Sequence, residues 1–374
     1  MTEVFIASDN ILSPIGSTTA ENFAQLKKNV SGIKLHHDET LAEEPFYASL
    51  FLKNSVLENE IYTKFEQLLI ASIGNALENS GIDTASHKTV LIISSTKGNI
   101  SLLETEQDNP STRKRVSLHH SAKLIADHFH FVHQPVVVSN ACISGVLAML
   151  MGMRLIQSGQ YENAVIAGAD VISKFVLSGF LSFQAISPEP CRPFDETRNG
   201  INLGEGAGTI ILSSNKKYAG GVKIRGGGTS NDANHISGPS RSGEELYQAI
   251  TKGMNDAGVS AGDIDLISAH GTATLYNDEM EAKAITMAGM QEVPVNSLKG
   301  YYGHTLGAAG IIESIVSTQS LKENILLPTI GFKQQGVTTS LNILNTLQTA
   351  SLKNCLKTAS GFGGCNAAVI FSKP

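Results

Sequence analysis

The chain has few charges, few cysteines and no long apolar run, and each scarcity narrows what it can do. Asp, Glu, Lys and Arg make up 17% of its 374 residues, against roughly 25% in an ordinary soluble domain. The net charge of −6 argues against a general nucleic-acid binder, which needs a basic surface to neutralise phosphates. The longest apolar stretch, Ile143 to Met153, is about half a membrane span and contains Ser144 and Gly145, so no span is expected. Cys142, Cys191, Cys355 and Cys365 show neither metal-ligand pairing nor disulfide density. Met1-Thr2-Glu3 lacks the basic start of a secretory signal, and a cytoplasmic protein is expected. Glycine, by contrast, is plentiful at 35 residues, which suits a compact body with close backbone contacts.

Strand and helix signals alternate along the chain, which predicts an α/β fold. Val4 to Ala7 reads as a strand, Ser13 to Gly16 as a turn, and Thr19 to Lys28 and Lys64 to Asn79 as helices. Thr89 to Ser94 is apolar almost throughout, as in a strand covered on both faces. The polar stretch Ser101 to Arg115 reads as an exposed loop or irregular helix. Two later segments share a plan: a short strand at Val136–Ser139 or Val293–Ser297, then a helix at Val146–Gln157 or Ala308–Leu321. After these come Asn163–Gly168 and Ala367–Phe371, and each half ends in β material near Ile210–Leu212 or Val369–Phe371. The chain therefore reads as two related halves, 1–215 and 216–374, joined near 214–221.

Cys142 follows a strand and opens a helix, where exposed N–H groups and the helix dipole would lower a thiol pKa and hold an oxyanion. A buried structural cysteine is the plainer reading of that residue alone. His270 ends the apolar run Asp265–Ala269 and opens His270-Gly-Thr-Ala-Thr274, at a strand's carboxyl end where α/β sheets collect ligands. An exposed turn histidine would give the same pattern. His304 follows Lys299 by five residues and precedes Gly307-Ala-Ala-Gly310, small enough for close helix contact. Glu281 is the expected partner for a buried Lys299, because an isolated buried ammonium is costly. Ser360-Gly-Phe-Gly-Gly364 can present bare N–H groups to a ligand or form a tight turn.

Gly204-Glu-Gly-Ala-Gly208 leads into a strand, so it is not a dinucleotide fingerprint. The histidines at 119, 120, 128, 130 and 133 lack the partners of a metal site, and no metal is expected.

Taken in order, these segments resemble the β-ketoacyl-acyl-carrier-protein synthases, elongating condensing enzymes of the thiolase superfamily. The resemblance runs through Ile11–Gly16, Asn140-Ala-Cys-Ile-Ser-Gly145, Arg192-Pro-Phe-Asp195, Gly204–Gly208 and Ser230–Ala233. It continues in His270–Thr274, Lys299, Gly303-His304, Gly307–Gly310 and Gly361-Phe-Gly-Gly364. It implies a thiolase-like five-layered αβαβα fold of two pseudo-repeated halves, as a homodimer or paired with a related ketosynthase-like subunit.

By that resemblance Cys142 takes an acyl chain as a thioester, His270 and His304 complete the site, and Lys299 with Glu281 orders it. The backbone N–H groups of Cys142 and Phe362 form the oxyanion hole. Thr272 and Thr274 meet the phosphopantetheine arm, which arrives on an acyl carrier protein with no resident cofactor, and Phe362 gates the second substrate. The reaction is decarboxylative condensation with a malonyl thioester, in fatty-acid, polyketide or aryl-polyene synthesis. Ile143, Cys365 and the loop Ser94–Gly98 depart from the usual family residues and bear on pocket shape. A non-catalytic chain-length-factor-like subunit would lack the nucleophile that Cys142 supplies. A thiolase would carry different His and Cys motifs, and the branch with a Cys-His-Asn site would have Asn where this chain has its second His.

Overall fold

The computed structural model describes residues 2–52, 61–233 and 238–374. Its main sheet has ten strands. In the first half these are β1 (Val4–Leu12), β2 (Thr89–Ser94), β3 (Val136–Val138), β4 (Asn163–Asp170) and β5 (Gly206–Ser213). The second half supplies β6 (Lys223–Asn231), β7 (Leu266–Ser268), β8 (Val295–Asn296), β9 (Asn354–Gly361) and β10 (Cys365–Ser372). Six helices build the layers: α1 (Lys64–Glu78), α2 (Leu118–His128), α3 (Ser144–Gln157), α4 (Glu244–Ala257), α5 (Leu275–Met287) and α6 (Ala309–Glu323).

The strand order β8-β7-β9-β10-β6-β1-β5-β4-β2-β3 is a palindrome of two equivalent halves. β1–β5 and β5–β4 are antiparallel, while β4–β2 and β2–β3 are parallel. β6–β10 and β10–β9 repeat the antiparallel pairs, and β9–β7 and β7–β8 the parallel ones. The halves meet where β1 touches β6, through Val4 with Ile224 and Phe5 with Lys223.

Three apolar cores separate five layers. Phe65, Leu69 and Ile73 of α1 and Ile125 of α2 pack on Leu91 and Ile93, one face of β2. Ile92, between those two residues, points the other way into the central core with Val146 and Met149 of α3 and Ile311 and Ile315 of α6. The third core joins Leu246 and Ile250 of α4 and Ile285 of α5 to Ile267, Leu356 and Ile370. Both faces of the sheet are thus covered, giving the thiolase-like αβαβα arrangement. This is why the β2 run is apolar at successive positions.

The central helices lie backbone to backbone. A Cβ on Gly145 would fall 2.8 Å from the Ile311 nitrogen, and one on Gly310 would fall 2.7 Å from that of Val146. The Gly-Ala-Ala-Gly segment therefore makes the close contact its composition implied. α6 is buried almost all round from Ala309 to Leu321, so it carries no polar stripe.

One expectation changes. Asn163–Gly168 was matched above with Ala367–Phe371, but the topology makes β9 the counterpart of β4, and β10 the counterpart of β5. The β9 strand went unread because Lys357, Thr358 and Ser360 interrupt its apolar pattern, although all three are buried. The stretch 101–115 contains two short helices, Leu102–Thr105 and Pro110–Val116. Asn109 caps the second, its side chain accepting from the N–H groups of Ser111 and Thr112. Among the described residues no helix is long and apolar enough to cross a membrane.

Candidate active site

Cys142, His270, His304 and Phe362 all lie just past the carboxyl ends of the parallel strands β3, β7, β8 and β9, where an α/β sheet leaves room for ligands. Cys142 stands on a sharp turn into α3. Ala141 before it has φ 45°, a left-handed conformation that costs an L-residue roughly 1–2 kcal/mol. Ser144 clamps the turn: its hydroxyl donates to the Ala141 carbonyl at 2.6 Å and accepts from the Asn140 N–H at 2.8 Å.

The expected lowering of the Cys142 pKa is not what the structure contains. Burial pushes the thiol up to about 12, against the opposing pull of the Lys299 ammonium and a hydrogen bond from the Phe362 N–H. The helix proper begins two residues later, at Ser144, and desolvation outweighs what its N-terminus offers. The resting sulfur is a thiol.

The His270 loop is held by two carboxylates of α5. Glu281 accepts from the His270 and Gly271 N–H groups, both at 2.8 Å, and from the Thr358 hydroxyl at 2.5 Å. Asp278 accepts from the N–H groups of Thr272 at 2.9 Å and Phe194 at 2.7 Å. Thr272 and Thr274 join their hydroxyls at 2.9 Å.

Burial pushes the Asp278 carboxyl from 3.8 up to about 7, with the Glu281 carboxylate adding to the shift and Phe194 N–H and Arg198 opposing it. Folding then favours the protonated acid, so this stability is full below about pH 4 and is lost as pH rises through 7. Unfolding free energies from urea titrations should fall by roughly 4 kcal/mol between pH 4 and 8 in the wild type and flatten in Asp278→Asn. An identical slope in the variant would assign it to another group.

His304 follows the four-residue helix Lys299–Tyr302 and the left-handed Gly303, φ 67°. The pairing expected for Lys299 is corrected: its ammonium meets Glu313 of α6, not Glu281. Glu281 is engaged by the His270 loop, whereas Glu313 enters from the buried central helix and takes Lys299 on Oε1 and Lys357 of β9 on Oε2, the latter at 2.7 Å. Sequence reasoning missed Glu313 and Lys357. The available clue was a lone charge within an otherwise uncharged, apolar or small-residue run in each case.

Cys142 sulfur and one ring nitrogen from each of His270 and His304 lie within 4.8 Å of one another. The rings meet edge to face, 5.2 Å between centroids. Burial first, and then the Lys299 ammonium, hold both imidazoles well below the usual histidine range, so both are neutral near pH 7. Neither ring nitrogen of His304 has a hydrogen-bond partner among the described residues. Such a sulfur–nitrogen triangle has the donor types of a metal site, but two ammoniums close by work against a divalent cation.

The triangle opens into a cavity of about 660 Å³ whose lining also includes Thr272, Thr274 and Phe362. Lys299 and Glu281 stand behind the wall, fully buried. Phe362 packs between Phe180 and Phe183, with ring centroids at 5.6 and 5.3 Å. Gly361 passes so near that a Cβ there would sit 3.0 Å from the Cys142 nitrogen, and the Phe362 N–H next to it bonds the Cys142 sulfur. Of the departures noted above, Ile143 packs in the central core and does not line the cavity. Cys365 lies beneath the loop, its thiol facing the carbonyls of Phe362 at 3.5 Å and Asn140 at 3.8 Å.

Known proteins share this sequence and fold along the whole chain. Residues 1–217 match the family described as Beta-ketoacyl synthase, N-terminal domain, and residues 222–333 match Beta-ketoacyl synthase, C-terminal domain. The chain is 30% identical to the 3-oxoacyl-[acyl-carrier-protein] synthase 2 of Staphylococcus aureus (strain COL), covering 99% of this chain and 98% of that one. It is also 30% identical to the Vibrio cholerae enzyme of the same name, with 99% of each covered. Among solved structures, the ishigamide ketosynthase/chain length factor superposes with a TM-score of 0.90 at 25% identity, covering 100% of this chain and 99% of that one. A ketosynthase in complex with its chain length factor from Xenorhabdus doucetiae has the same fold, with a TM-score of 0.90 at 23% identity, covering 100% of this chain and 98% of that one. The chain belongs to the β-ketoacyl synthase family, the acyltransferases that perform elongating condensation on the thiolase fold.

Proposed function

We propose that this chain joins a Cys142-bound acyl group to a malonyl thioester on an acyl carrier protein, releasing CO2. The observation that carries the reading is the triangle of one thiol and two neutral imidazoles at the wall of a 660 Å³ cavity.

In the first step the Cys142 sulfur attacks the acyl thioester and the carrier's pantetheine thiol leaves. Because the thiol begins protonated, its proton passes through a neighbouring imidazole lone pair to the departing pantetheine sulfur, which leaves as a thiol and returns the ring to neutral. The oxyanion that forms is placed to accept from the Cys142 and Phe362 N–H groups. The malonyl unit then loses CO2, and the carboxylate's bonding pair becomes an enolate. Neutral His270 and His304 each offer an N–H to its oxygen, a task for which the unpartnered nitrogens of His304 are free. The enolate carbon attacks the Cys142 thioester, the C–S bond breaks, and the released Cys142 thiolate takes a proton from water.

Thr272 and Thr274 present hydroxyls for the pantetheine arm, and Phe362 closes the mouth between Phe180 and Phe183. Glu281 and Lys299 act from behind the cavity wall. The phosphopantetheine belongs to the carrier, and we assign the chain no resident cofactor. Its partners are the carrier protein and a second ketosynthase-like subunit, identical or related. The four free cysteines suit the reducing cytoplasm, the compartment we assign.

A chain-length-factor role is disfavoured because the nucleophile and both imidazoles are present and assembled. Incubating the protein with acyl- and malonyl-carrier protein should yield a carrier-bound β-ketoacyl chain two carbons longer, read by intact mass. No extended product with any acyl length tried would refute the reading.

A further inference from the structure

Lys357 is a fully buried ammonium that the condensation steps above do not use. It sits on β9 directly opposite Ser268 of β7, among the buried neighbours Cys355, Leu356 and Ala359. A strand covered on both faces is ordinarily apolar there, and burying a charge is costly unless it is paired. Its ammonium donates to the carbonyls of Ser268 at 3.2 Å and Ala269 at 3.1 Å, the two residues immediately ahead of His270. It also pairs with Glu313 Oε2 at 2.7 Å, on the carboxylate that holds Lys299.

The charges around His270 explain why a second ammonium is needed. Glu281 on α5 binds the His270 N–H, Asp278 on the same helix faces Arg198, and Glu313 on α6 is shared by Lys299 and Lys357. Lys299 balances one carboxylate. Without Lys357 the second would leave a net negative charge beside Cys142, His270 and His304, where the reaction itself builds up an enolate.

We infer that Lys357 is a positioning residue of this site: it anchors the chain entering His270 and supplies the counter-charge that keeps developing negative charge favourable. The inference rests on the condensation reading and adds a residue to it. In support, Lys357 is among the charges that hold both imidazole pKa values down, after burial and Lys299.

Three variants separate its charge from its hydrogen bonds: Lys357→Met removes both, Lys357→Gln keeps a donor without charge, and Lys357→Arg keeps the charge. CO2 release from malonyl-carrier protein is measured against pH, with circular dichroism to verify folding. Wild type should keep its acid limb below about pH 6.5, the ordinary histidine range. Met and Gln should move that limb up by about one pH unit and lower kcat roughly tenfold with little change in KM, and Arg should restore the limb. Folded Met and Gln variants with the wild-type limb and kcat would overturn the inference. Should both variants fail to fold, 15Nζ lysine NMR of the wild type decides: a charged Lys357 ammonium throughout the acid limb upholds the counter-charge, and a neutral amine there overturns it. A wild type that releases no CO2 would instead overturn the condensation reading itself.

Discussion

Replacing Cys142 with alanine is expected to abolish acyl loading and to cut condensation by roughly three orders of magnitude or more. The wild-type protein, mixed with acyl-carrier protein, should gain the mass of one acyl group, and Cys142→Ala should gain none. The effect is large because the other cysteines offer no substitute: Cys191, Cys355 and Cys365 are buried and none lines the cavity. Alanine fits the turn, since Ala141 rather than residue 142 bears the left-handed backbone and Ser144 supplies the clamp. Loss of loading in a variant of unchanged thermal stability would therefore report chemistry. An acyl adduct on the alanine variant would mean that another nucleophile operates.

His304→Ala should reduce malonyl decarboxylation by about 10²- to 10³-fold, the usual cost of removing one donor to a developing oxyanion. Acyl loading should suffer less, within roughly tenfold, because the oxyanion of that step meets the backbone amides of Cys142 and Phe362 and the remaining imidazole can still take the Cys142 proton. His270→Ala should show the same imbalance, with an added loss from disturbance of the loop that Glu281 holds. Measuring CO2 release and acyl loading on the same preparations separates the two steps. Equal losses in both, or undiminished CO2 release, would remove the imidazoles from enolate stabilisation.

Much of this site was legible because its parts occupy positions with strong local signals. Cys142 and His270 follow apolar strands, and Phe362 lies within a glycine run, so position and chemistry coincide in the sequence. The duplicated halves were legible for the same reason, from strand–helix spacing. The correspondence of β4 with β9 was not, because Lys357, Thr358 and Ser360 interrupt the apolar pattern of a buried strand, and Lys357 and Thr358 find their partners Glu313 and Glu281 far away in sequence. Glu313 was missed because its partners Lys299 and Lys357 converge on it through the fold. The thiol pKa was misjudged because helix-end attraction can be read locally, whereas desolvation depends on everything packed around the sulfur.

The site that holds the acyl chain decides between this mechanism and any other. Wild-type protein loaded from acyl-carrier protein without any malonyl donor, then digested and mapped by tandem mass spectrometry, should carry the acyl group on the Cys142 peptide alone. Addition of malonyl-carrier protein before digestion should clear that peptide. An acyl group found on Cys365 or any other residue, or one that malonyl-carrier protein fails to discharge, would contradict the account.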